Sequence, residues 1–273
     1  MPSSIVVLVL FETLRVAPEV QLHPGGSLNG VAEAAIIFDG DDTLWLVEHL
    51  YDDARADAAV VVAAAGIDPV RWEVLEREID VRNVERMGVS ALRFPTSCVE
   101  AYVVASNEQG TLPRADVSDQ VRTAAATVFD RPAPVVEGAE DVVEQLRSQY
   151  FVALLTKGEP WVQRRRIAES GLDDAFDLVS IVESKAETEF TRVLGDFGVT
   201  PARSWSVGNS LASDINPALA LGMSAVWIDA HVWEHERREL EPVNGNLLVG
   251  RSLIEVPDLI AAGARGAGSP IGR

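Results

Sequence analysis

The chain has 273 residues, room for one large domain or two modest ones at about 150 residues each. Apolar residues make up 47% and charged residues 24%, which excludes a mostly disordered or collagen-like chain. A formal net charge of −19 opposes any broad electrostatic grip on nucleic acid or anionic lipid, so neither a nucleic-acid nor a membrane partner is expected. Cys98 is the only cysteine, which excludes an intramolecular disulfide and a cysteine-rich zinc module. The apolar stretch Ile5 to Phe11 is short, lacks a preceding positive charge and is followed by Glu12. It resembles neither a signal peptide nor a membrane span, and a cytoplasmic setting is expected. Lys157 and Lys185 are the only lysines; every other basic residue is arginine.

In chain order, residues 1–32 carry Pro2, Pro18, Pro24, Gly25, Gly26 and Gly30 without a sustained period and read as an N-terminal extension. Ala34 to Phe38 is a short apolar run that ends in Asp39-Gly40-Asp41-Asp42-Thr43, the pattern of a buried parallel strand delivering polar groups at its C-terminal end. Residues 46–135 contain helix-like runs at Asp53 to Ala65, Val70 to Arg86, Ser97 to Ser106 and Val117 to Phe129 and no convincing strand. This predicts an all-helical insertion after the first strand. From about residue 136 onward, strand candidates at Phe151 to Leu155, Ser204 to Val207 and Ala225 to Ile228 alternate with helical patterns at Asp141 to Leu146, Trp161 to Ile167, Thr188 to Leu194 and Ile215 to Leu221. The alternation predicts βαβ units on a parallel sheet. The expected fold class is α/β, a Rossmann-like core over 33–45 and 136–263 with a helical cap over 46–135 and a flexible tail over 264–273. Nothing in the patterning sets an oligomeric state.

Asp39 and Asp41 stand two residues apart just past a strand, so in extended geometry they point the same way. Two like charges this close raise one another's pKa unless a cation sits between them, and an all-oxygen set favours magnesium. Thr156 closes a second strand and is followed by Lys157-Gly158-Glu159-Pro160, where Pro160 suits a helix start and free N–H groups suit a phosphate. Lys185 follows an apolar run, and Gly208-Asn209-Ser210-Leu211-Ala212-Ser213-Asp214 closes another strand with amide, hydroxyl and carboxylate groups.

In this order the four segments resemble the haloacid dehalogenase (HAD) superfamily, specifically its phosphatase branch, over roughly residues 33 to 229. Asp39-Gly40-Asp41-Asp42-Thr43 matches the D-x-D-x-T motif, Thr156 the strand-terminal hydroxyl, Lys185 the lysine, and Asn209 to Asp214 the fourth motif, with Asn209 where an acid is usual. The resemblance implies that Asp39 is the nucleophile, forming an aspartyl-phosphate, and that Asp41 is the acid and base. It implies Mg²⁺ on Asp39, Asp41 and Asp214, with Asn209 beside them, and phosphate held by Thr156, Lys185, Gly40 and Lys157. Asp41 favours phosphoester over carbon–halogen chemistry, because a halide leaving group needs no proton. The expected substrate is a small phosphorylated metabolite; a phosphomutase, a dehalogenase and a non-catalytic binding protein retaining the fold are the alternatives. Glu48, His49 and Tyr51, after the first motif, and Arg93, in the insertion, are candidates to line the substrate pocket, although a solvated side chain is the commoner fate of such an arginine. His231-Val232-Trp233-Glu234-His235 fits a zinc pattern but reads better as a decorated loop. Trp227 and Trp233 read as packing residues, and Arg164-Arg165-Arg166 as a solvated helix face.

Overall fold

The computed structural model describes residues 19–22, 33–229, 238–240 and 246–267. The HxxEH segment at 231–235, including Trp233, lies outside the described residues. Seven strands form one sheet: β1 (Glu19–Leu22), β2 (Ala35–Phe38), β3 (Phe151–Lys157), β4 (Leu178–Val182), β5 (Trp205–Gly208), β6 (Ser224–Ile228) and β7 (Leu247–Gly250). Their order is β1-β4-β3-β2-β5-β6-β7, with every pair parallel except β1 against β4. Strand β2 is central. The chain leaves it toward β3 and β4, then crosses to β5 and β6 on its other side. The strand order therefore reverses at β2, and the crevice beyond its C-terminal end is where such sheets bind ligands.

The apolar runs of β2 and β3 reflect cover on both faces. Ile36 and Phe38 pack with Val152 and Leu154 on one face, and Ala35 and Ile37 pack with Ala153 and Leu155 on the other. The covering helices are α5 (Ala139–Arg147), α6 (Pro160–Ser170), α7 (Glu187–Phe197), α8 (Asn216–Ala220) and α9 (Val256–Ala267). Between β2 and α5 come four further helices, α1 (Glu48–Ala64), α2 (Pro69–Met87), α3 (Arg93–Glu108) and α4 (Ala115–Ala126). They pack around Ala54, Ala58, Trp72, Cys98, Tyr102 and Val121, and the Trp72 indole donates to the Cys98 carbonyl at 3.0 Å. Among the described residues no helix is long and apolar enough to cross a membrane.

Several expectations are corrected. Residues 19–22 pair as an antiparallel edge strand, although the N-terminal extension shows no strand period. Strands β4 and β7 and helix α9 add to the core, and α9 runs through Ala267, past the boundary at 263. Helix α3 begins at Arg93, before Ser97, because Pro95 falls in its first turn, where a missing N–H is tolerated.

The junction between β2 and the insertion is a folded polar device. Asp42 adopts φ +58°, the left-handed region that aspartate reaches more readily than most residues. Its Oδ1 accepts from the Val47 N–H at 2.8 Å and the Glu48 N–H at 3.2 Å, which caps the start of α1 from a distance. Burial pushes the Asp42 carboxyl up to about 6. Glu48 is pushed up to about 7, by burial first and then by Asp52, with Arg55 opposing. A carboxyl raised in the folded state contributes stability that is present below the unfolded value, about 4.5, and is lost as pH rises through about 7. The thermal midpoint of Glu48→Gln is therefore expected to rise relative to the unsubstituted protein as pH increases from 4.5 to 7.5, the gap then staying constant. A pH-independent gap in scanning calorimetry would contradict this.

Candidate active site

The end of β2 is held against β5 by the Asp39 N–H, which donates to the Val207 carbonyl at 2.9 Å. The chain then turns tightly, because the Gly40 carbonyl accepts from the N–H groups of Thr43, Leu44 and Trp45 at 2.8 to 3.3 Å. This folds the buried Trp45 ring back over Gly40. A Cβ at Gly40 would lie 2.4 Å from Trp45 Cζ2 and 3.2 Å from Thr156 Oγ1, so glycine is required here for space. The Trp45 indole donates to Asp41 Oδ1 at 2.7 Å. The Thr43 hydroxyl lies 3.2 Å from Asp39 Oδ2 and 3.4 Å from Asn209 Oδ1.

Beyond β5 the chain makes a π-type turn over Leu211–Ile215 that drives Asp214 back toward β2. Its Oδ2 accepts from the Ser210 N–H at 2.9 Å. A Cβ at Gly208 would stand 2.4 Å from that same oxygen, so glycine makes room for the carboxylate. Lys185, two residues before α7, donates from Nζ to Asp39 Oδ1 and, at 2.8 Å, to Asp214 Oδ1. All three side chains are almost wholly buried. Burial alone would lower the Lys185 ammonium, but Asp214 and Asp39 outweigh it and raise it to about 12. Asp39 is pushed up by burial and by the Asp214 charge, with Lys185 opposing.

These side chains line a cavity of about 90 Å³ together with Asp41, Lys157, Asn209, Ser210 and Ser213. Lys157 Nζ reaches Ser213 Oγ at 3.1 Å; burial, then the Lys185 charge, lower its ammonium to about 8. Behind the cavity, the Thr156 hydroxyl is buried with no hydrogen-bond partner among the described residues. That hydroxyl stands beside Gly40, at the turn that carries Asp39 and Asp41, and a buried hydroxyl without a partner there suits an incoming polar oxygen. Asp39, Asp214 and the Asn209 amide form an all-oxygen set with few protein ligands. Such a set fits a hard divalent cation that keeps waters and takes substrate oxygens.

The opposite wall comes from the insertion and α6. Tyr51, Arg93 and Phe129 face the cavity with Gln163 and Arg166. Asp41 Oδ2 accepts from Arg166 Nη1 at 2.7 Å and from Gln163 Nε2 at 3.0 Å. Arg93 is buried, which corrects the expectation of a solvated side chain. The expectation for the arginine triplet is corrected too: Arg166 is buried on Asp41, and Arg165 donates to the Phe129 and Asp130 carbonyls at 2.9 and 2.7 Å. Glu48 and His49 do not line the cavity; His49 is exposed and Glu48 packs beside Asp42, Asp52 and Arg55. Trp227 packs and donates to the Asn209 carbonyl at 2.9 Å. Sequence reading missed Gln163 and Arg166. Their spacing of three on one helix face, beside buried Val162 and Ile167, is the signal that placed them inward.

Residues 33–222 match the family model described as haloacid dehalogenase-like hydrolase. The phosphoserine phosphatase of Thermus thermophilus is 32% identical over 71% of this chain and 88% of its own length. The glyceraldehyde 3-phosphate phosphatase of Pyrococcus furiosus is 33% identical over 70% and 79%. The solved haloacid dehalogenase-like family hydrolase of Xanthomonas campestris superposes with a TM-score of 0.69 at 25% identity, covering 86% of this chain and 100% of that one. With a family model spanning well over half its length, this chain belongs to the haloacid dehalogenase-like hydrolases.

Proposed function

We propose that the protein is a Mg²⁺-dependent phosphatase that hydrolyses a small phosphorylated metabolite through an aspartyl-phosphate on Asp39. The observation that carries this reading is Asp41, a second carboxylate on the same cavity as Asp39, held by Trp45, Gln163 and Arg166. An alkoxide leaving group needs a proton and a halide does not, so Asp41 has work to do in phosphoester cleavage and none in carbon–halogen cleavage. Two relatives with phosphatase names, each sharing about a third of its aligned residues with this chain, point the same way.

In this reading Asp39 attacks phosphorus, forming the Asp39 O–P bond as the ester P–O bond breaks, while Asp41 gives its proton to the departing oxygen. A water oxygen then attacks phosphorus, Asp41 takes the water proton, and the Asp39 O–P bond breaks to release phosphate. Lys185, Lys157 and the Thr156 hydroxyl hold the equatorial oxygens, where charge accumulates. Asp39, Asp214, the Asp41 backbone carbonyl and Asn209 would hold Mg²⁺, which supplies neutralisation of the phosphoryl charge. The four-helix insertion roofs the site and excludes bulk water, and the small cavity limits the substrate to metabolite size.

Purified protein with Mg²⁺ is expected to release phosphate from an aryl phosphate and from members of a broad phosphate panel, with Asp39→Asn at background and a chelator abolishing turnover until Mg²⁺ is restored. No turnover above the Asp39→Asn control on the panel would overturn the reading. A methyl at Gly208 must expel the Asp214 carboxylate. Gly208→Ala is therefore expected to lower kcat by about 10²-fold or more while shifting Tm by only a few degrees, and retained activity would contradict the assignment of Asp214.

A further inference from the structure

Two guanidinium groups on the roof of the cavity are buried with unused donors. Arg93 is 6% exposed and Arg166 is 7% exposed. Arg93 Nη1 lies 3.0 Å from Asp80 Oδ2 but is not aligned to hydrogen-bond it, and Arg166 Nη2 is likewise without a hydrogen bond among the described residues. Both side chains line the same cavity, and the Tyr51 phenol lies within the field of both and hydrogen-bonds Arg166. Arginine cannot shed its proton to escape this, and a buried N–H group without an aligned acceptor is costly even where the charge is paired, here with Asp80 and Asp41. Two of the neighbouring carboxylates already pair with these arginines and have other donors besides: Asp80 pairs with Arg93 through Oδ2 while its Oδ1 accepts from the Ser97 hydroxyl at 2.9 Å, and Asp41 pairs with Arg166 while accepting from Trp45 and Gln163; Glu159 Oε2 accepts from the Ala91 N–H at 3.3 Å.

We infer that Arg93 and Arg166 form a second anion subsite and that the substrate is a small phosphate monoester whose leaving group carries a carboxylate. The inference rests on the phosphatase reading and names the substrate class of that same site. A planar fork of N–H donors matches a carboxylate, and the small cavity, once a phosphoryl group is seated, favours that compact anion over a second phosphate. Arg166 has two faces. Nη1 fixes Asp41 while the same side chain lines the cavity, so one guanidinium sets the acid and the leaving group in register. Lys185 and Lys157, on the opposite side, are left for the phosphoryl oxygens.

The test compares matched substrates that differ by the carboxylate: phosphoglycolate against ethyl phosphate, and phosphoserine against phosphoethanolamine, with an aryl phosphate as reference. For the unsubstituted protein, kcat/KM on at least one carboxylated member is expected to exceed its partner by about 100-fold. Arg93→Met and Arg166→Met are each expected to shrink that ratio to within about fivefold. If Arg93→Met does not fold, Arg93→Lys, which keeps the charge and loses the fork, is expected to shrink the ratio about tenfold. Turnover of the aryl phosphate with no carboxylate preference in either pair overturns the subsite and leaves the phosphatase reading standing. A preference that survives both substitutions overturns the assignment to these arginines. No turnover of any phosphate overturns the phosphatase reading, and the subsite falls with it.

Discussion

One ammonium group between two buried carboxylates organises this site. Asp39 ends the central strand, Asp214 is returned by a π-type turn beyond the neighbouring strand, and Lys185 comes from the loop before α7, so the contact ties three separate crossovers of the sheet. Without the lysine, two carboxylates in a desolvated crevice would repel and one would take a proton. With it, both are held at the sheet edge, and the demand for space around them fixes further residues. Gly208 is glycine because the Asp214 carboxylate occupies the volume of its Cβ, and Gly40 because the Trp45 ring and Thr156 hydroxyl occupy that of its own.

The rest of the molecule supplies the second half of the crevice. Helix α6 is a wall shared between core and insertion: Arg165 grips the carbonyls at the end of the helical insertion, and Arg166, one residue on, holds Asp41. Domain contact and active-site geometry are thus coupled through one turn of helix. The net charge of −19 opposes anion binding in general, yet four cationic side chains, Arg93, Lys157, Arg166 and Lys185, face one small cavity. Both lysines of the chain are among them. A strongly acidic chain thus gathers four cations at one crevice.

Much of this was legible in the sequence, for physical reasons. Buried parallel strands are continuous apolar runs that stop abruptly, so Ile36 to Phe38 and Phe151 to Leu155 announced themselves along with the polar residues at their ends, and Asp39, Thr156 and Asp214 came with them. The insertion was legible as helix because its apolar period is 3.6 over long stretches. Strand β1 was not, since four residues pairing at a sheet edge take their conformation from the partner strand. Arg166 was hidden for another reason. A run of three arginines reads as solvated, and only tertiary packing decides that one of them turns inward to meet a carboxylate 125 residues earlier in the chain. His49 fails in the opposite sense, adjacent in sequence to the first motif but carried outward by the first turn of α1.

A nucleophilic Asp39 differs from a merely charged neighbour in carrying the phosphoryl group covalently during turnover. Rapid acid quench of the enzyme during turnover of a phosphorus-labelled substrate, followed by peptide mapping, reads it directly. Covalent label is expected on the peptide containing Asp39 and none in Asp39→Asn. Turnover without protein label, or label on another residue, would contradict it.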